Sequence, residues 1–107
     1  MATRYNYTGG IVTNGLVLNL DAAKTDSYPG TGTAWRDISG NNNNGTLVNG
    51  PTFSGIGKQA SIVFDGVNDY IPTTYIMPSQ DSTTSFSWNC WVYPTRTNTR
   101  DIFMGNR

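Results

Sequence analysis

The sequence predicts an all-β, antiparallel fold with a polar surface, and three observations predict it. Thr, Asn, Gly, Ser and Pro make up 52 of the 107 residues. These are turn formers, β-branched polar residues and breakers, so little is left from which to build helices. Three Trp, six Tyr and four Phe supply more large apolar groups than a disordered chain carries. Short apolar runs of period two recur along the chain, separated by Gly, Pro and Asn.

The elements follow in chain order. Residues 1–14 read as an amino-terminal arm, polar and aromatic, with Thr8-Gly9-Gly10 inside it, and residues 15–107 read as one domain. Leu16-Val17-Leu18-Asn19-Leu20-Asp21 alternates, which puts Leu16, Leu18 and Leu20 on one face of a half-buried strand. Residues 21–45 are nearly free of aliphatics and form a long loop, which Trp35 and Ile38 pin to a core. Its run Asn41-Asn42-Asn43-Asn44-Gly45 suits tight turns, because Asn tolerates left-handed backbone and bonds its own chain. Gly45-Thr46-Leu47-Val48 begins a second strand, which the turn signal Asn49-Gly50-Pro51 stops.

Ala60-Ser61-Ile62-Val63-Phe64 is the next strand, with Ile62 and Phe64 inward, and it forms a hairpin with Tyr70-Ile71 across Asp65-Gly66-Val67-Asn68-Asp69. Residues 72–84 cross the surface. Phe86-Ser87-Trp88-Asn89-Cys90-Trp91-Val92-Tyr93 is the strongest strand, apolar on both faces and therefore central and covered on both. Cys90 within it is a small core residue.

Charge and composition exclude several functions. Seven Lys plus Arg balance seven Asp, so the net charge is zero and no cationic surplus exists for a nucleic acid. With neither His nor Glu in the chain, there is no Ser-His-Asp set, no zinc helix and no glutamate acid-base pair. The expectation is a protein that is not an enzyme. A single cysteine forms no intramolecular disulfide. The amino end lacks the apolar run of a signal peptide and no later stretch approaches a bilayer span, so synthesis in a cytoplasm without membrane contact is expected.

Three groups are candidate sites. Tyr28 and Trp35 lie in the long loop, where flat rings beside Asn and Asp suit a sugar, although Trp35 serves equally as a plug that seats the loop on the core. Arg4, Tyr5 and Tyr7 in the arm suit docking onto another protein. Asp65, Asn68 and Asp69 bring hard oxygen ligands within five residues, enough for part of a calcium site, and the same residues serve as ordinary turn caps. No other cofactor is expected.

The segments GLVLNLDA (15–22), WRDISGNNNNGT (35–46), SIVFDGVNDYI (61–71) and FSWNCWVYP (86–94) resemble the concanavalin A-like, laminin-G-like (LamG) jelly-roll superfamily. The resemblance spans roughly residues 15–105. It is closest in kind to LamG-like modules of tail, fibre and capsid-associated bacteriophage proteins, especially those of cyanophages, and of large bacterial surface proteins. It implies a sandwich of two curved antiparallel sheets, an architecture that alternating strands with Gly, Pro and Asn turns also favour. Members of that family continue past the point reached at Arg107, so the resemblance also implies a jelly roll that lacks its C-terminal strands here.

Calcium near the sandwich rim occurs among such proteins. Glycosidases of this fold carry a Glu-x-Asp-x-x-Glu strand, which a chain without Glu does not have. The function implied is structural: a virion component in a capsid, tail or fibre, assembled in the host cytoplasm. Its partners would be other virion proteins or copies of itself, with a cell-surface glycan as a further ligand in host attachment. The alternative is a carbohydrate-binding adhesion module of a bacterial cell surface.

Overall fold

The computed structural model describes residues 11–77, 85–96 and 103–105. The backbone divides into two compact units, Met1–Tyr75 and Ile76–Arg107. Among the described residues there is no α-helix. Regular structure consists of β1 (Ala34–Trp35), β2 (Gly45–Thr46), β3 (Thr52–Ser54), a single 3-10 turn at Gly57–Gln59, and β4 (Ser61–Val63). β1 pairs antiparallel with β2, and β3 with β4.

The stretch around β2 is the centre of the first unit. On one side Trp35 lies opposite Gly45, and the Leu47 N–H donates to the Thr33 carbonyl at 2.7 Å. On the other side the chain from Tyr70 to Thr74 runs antiparallel, with Thr46 N–H bonded to Pro72 O and Val48 exchanging both backbone bonds with Tyr70. Leu47, thus flanked, is buried, and full burial of such a side chain stabilises by about 2 kcal/mol. Gly45 sits where a Cβ would lie 2.8 Å from Ile71 Cγ2 and 3.4 Å from Leu20 Cδ1. Close packing at this crossing therefore demands the missing side chain.

The expected hairpin between residues 60–66 and 70–71 does not form. β4 turns back onto β3 instead, with Phe53 opposite Ile62, while Tyr70 goes to Val48. The Asp65-to-Asp69 turn, capped by its own carboxylates, releases the chain toward the central strand rather than back along β4. Ile62 is half-buried as expected, but Phe64 lies past the end of the pairing and is 48% exposed.

Leu16, Leu18 and Leu20 are half-buried and Val17 is exposed, as alternation predicts, but Asn19 and Asp21, at the positions that alternate with the leucines, are half-buried too. The segment is extended without a β-ladder, and its polar groups are met chiefly by side chains of residues 37–43. In the second unit, residues 85–94 carry no strand pairing, and Trp91 and Tyr93 are 99% and 91% exposed. The expectation of a central strand covered on both faces is not met, and Cys90 is exposed rather than in a core. Period-two alternation states what a segment can pair with; it does not supply the partner.

Candidate functional site

A knot of hydrogen bonds is built on Asp37, whose side chain is buried. Oδ1 accepts from the backbone N–H groups of Asn19 and Ser39, each at 2.8 Å. Oδ2 accepts from the Ser39 hydroxyl at 2.8 Å and the Asn43 N–H at 2.9 Å. The Asp37 N–H in turn donates to Asn44 Oδ1. Burial pushes the Asp37 carboxyl up, but donation from Ser39, Asn19 and Asn43 outweighs it and holds the group below the usual carboxylate range.

Two asparagines extend the knot. Asn41 Nδ2 donates to the Leu16 carbonyl and Asn43 Nδ2 to the Val17 carbonyl, across 25 and 26 residues of sequence. Asn42 between them takes a left-handed backbone, φ 56°, which lets its neighbours point the same way. The Asn run is thus a turn, as composition suggests, and also a clamp on the first extended segment. Sequence reasoning missed the clamp; the signal was the i, i+2 spacing of Asn41 and Asn43 beside a strand rich in unpaired carbonyls.

A second anchor holds the loop from below. Ser27, fully buried, accepts from the Asp21 N–H at 3.0 Å and donates its hydroxyl to the Arg36 carbonyl at 2.6 Å. Tyr28 follows it into the core. Its ring lies 5.3 Å from that of Phe53 on β3, and its hydroxyl donates to the Gly32 carbonyl. The ring is 4% exposed, so Tyr28 ties the loop to the β3–β4 pair and offers no flat face to a ligand.

Next to these anchors lies a shallow cleft of about 420 Å³ lined by hydroxyl and charged side chains, among them Thr25, Asp26, Thr31, Thr33 and Arg36. Neither Tyr28 nor Trp35 lines it. Ala34 and Arg36 do, and on an extended chain the residue between them points to the opposite face. Trp35 is half-buried there, with its indole Nε1 buried and unpartnered among the described residues. The structure therefore does not bring Tyr28 and Trp35 together in one cleft.

Asp65, Asn68 and Asp69 share one turn. Asp65 Oδ1 accepts from the N–H groups of Val67 and Asn68, and Asp69 Oδ2 accepts from the Asp65 N–H. Those bonds are turn capping, while Asp69 Oδ1 is buried and has no partner among the described residues. Among the described residues no group of three or more acidic or Cys side chains is placed to hold a metal ion. Arg4, Tyr5 and Tyr7 lie outside the described residues. No described helix is long and apolar enough to cross a membrane.

Comparisons with protein families, curated proteins and solved structures find no match. The described residues show a loop locked by Asp37, Ser27 and Tyr28, a cleft of mixed polarity beside it, and an aromatic segment at 86–93 whose rings are half to fully exposed.

Proposed function

We propose that the protein is a non-catalytic structural module of a bacteriophage particle, a LamG-like jelly roll that works by docking in a capsid, tail or fibre. The observation that carries this reading is the aromatic segment, in which Phe86, Trp88, Trp91 and Tyr93 are all at least half exposed. Exposed Trp and Tyr side chains of this kind are enriched at protein contact sites. The particle setting rests on the resemblance of the Trp35-to-Thr46 and Ser61-to-Ile71 segments to phage LamG-like modules, an argument by analogy. The loop locked by Asp37 supports it by giving the Trp-x-Asp-x-Ser-Gly-Asn stretch a structural task.

Immunogold electron microscopy of infected bacteria and of the particles purified from them, with an antibody to the chain, tests the proposal. Label at regular positions on capsid, tail or fibre is the expected result. Label confined to the bacterial envelope would overturn it.

The cleft favours a second reading, a carbohydrate-binding adhesion module of a bacterial surface. Asp26, Arg36 and the threonine hydroxyls provide donors and acceptors suited to sugar hydroxyls. That reading expects saturable glycan binding by the isolated chain, lost on Arg36→Ala with an unchanged melting temperature. An empty glycan array removes it and leaves docking alone.

A further inference from the structure

The chain contains three Asn-Gly pairs, Asn14-Gly15, Asn44-Gly45 and Asn49-Gly50, and the fold treats the last two, which lie on either side of Leu47, oppositely. We propose that Asn49 is a self-modifying site that converts spontaneously to aspartate and isoaspartate, while the fold protects the chemically identical Asn44. In this reaction the backbone nitrogen of the following glycine loses its proton to solvent base and attacks the Asn side-chain Cγ. A C–N bond forms, the Cγ–Nδ2 bond breaks, and the amide nitrogen leaves as ammonia, giving a cyclic imide. Water then adds to one of the two imide carbonyls and reopens the ring. The net change replaces an NH2 by an OH, with no oxidant or reductant.

Glycine permits the attack because no Cβ shields its nitrogen, so both pairs are competent in an unfolded chain. In the folded chain Gly45 is buried and paired on two sides, opposite Trp35 in the ladder and bridged to Thr73. Asn44 is held as well: its Oδ1 accepts from the Asp37 N–H and its carbonyl from the Thr74 N–H. Cyclisation there requires the central strand to open. Asn49 and Gly50 are both exposed and have left-handed backbones, φ 69° and 97°, and no atom lies within 4 Å of where a Gly50 Cβ would be. The turn is held by one side-chain bond, Asn49 Nδ2 to the Asn68 carbonyl at 2.8 Å. Rotating Asn49 toward its neighbour's nitrogen costs that bond and the turn, and no ladder position.

The conversion has a structural consequence. The Asn49 amide now donates to Asn68; a carboxylate in its place faces that carbonyl as a second acceptor. The isoaspartate form adds a methylene to the main chain between Val48, bonded to Tyr70, and β3. Asn49 would thus act as a slow clock on the connection between the central strand and the β3–β4 pair.

Incubation of the full chain at mildly alkaline pH, folded and in denaturant side by side, tests the proposal. The tryptic peptide 37–58 carries both pairs, so its fragment-ion series assigns the conversion to one or the other. In the folded chain Asn49 should convert more than about tenfold faster than Asn44, because Asn44 reacts only through local opening of paired backbone. In denaturant the two rates should converge. A smaller ratio in the folded chain, conversion led by Asn44, or no conversion at Asn49 while the denatured chain reacts would overturn the proposal.

Discussion

At the scale of single residues, Asp37 and Ser27 are buried polar side chains that tie the loop to distant backbone. Four donors converge on the two Asp37 oxygens, and bonds to a charged acceptor are worth about twice neutral ones. Asp37→Ala strands the N–H groups of Asn19, Ser39 and Asn43, and urea unfolding should show a loss of about 3 kcal/mol. The pH dependence has a definite sign. The native carboxyl is held below its ordinary value, so the knot contributes fully above about pH 3.9, the value of an unfolded Asp. That contribution is lost as pH falls through the lowered native value. The stability gap between the wild type and Asp37→Asn should therefore be widest near neutrality and shrink in acid; a gap independent of pH would refute the charged knot. Ser27→Ala leaves the Asp21 N–H and the Arg36 carbonyl unmet in a buried place, and the same assay should read a loss of about 2 kcal/mol.

At the scale of elements, close approach at two glycines decides which segments pair. Gly45→Ala drives a methyl into Ile71 where the central strand meets its neighbours, and such overpacking costs about 2 kcal/mol by thermal or chemical unfolding. Gly55→Ala should cost more, because Gly55 has φ 93° and an added Cβ would collide with the Gln59 carbonyl group, which cannot swing aside as a side chain would. It should loosen the β3–β4 turn first, read as faster amide exchange at the paired residues Thr52–Ser54 and Ser61–Val63. The pairing itself shows where adjacency misleads. Sequential strands tend to pair, which favours a hairpin of residues 60–66 with 70–71. The chain obeys the rule one step earlier, through β3 and β4, and then skips back to Val48.

At the scale of the whole molecule, both units expose apolar side chains, Ile56 and Val67 in the first and Trp91 and Tyr93 in the second, but large aromatic rings that are almost wholly exposed are described only in the second. If those rings dock on a partner, Trp91→Ser with Tyr93→Ser should lower association of the chain with purified particles while leaving the melting temperature within about 2 °C, since exposed side chains contribute little to folding. A matching fall in melting temperature would show that the rings serve folding rather than docking.

Some of this was legible in the residues alone. The absence of α-helix among the described residues follows from the Thr, Asn and Gly content, and the half-burial of Leu16, Leu18 and Leu20 is the one their alternation calls for, though Asn19 and Asp21 share it. Asn42 and Gly50 sit in the left-handed turns that their residue types announce. Other features were decided only by tertiary structure, because each depends on a group distant in sequence. Tyr28 lies in a Tyr-Pro-Gly stretch that reads as an exposed loop, yet Phe53, on a later strand, draws its ring into the core. Asn41 and Asn43 become clamps because Asp37 folds their loop against Leu16 and Val17. Composition and periodicity determine which groups must be paired or buried; which partner meets them is set by the path of the chain in space, and a local pattern does not contain that path.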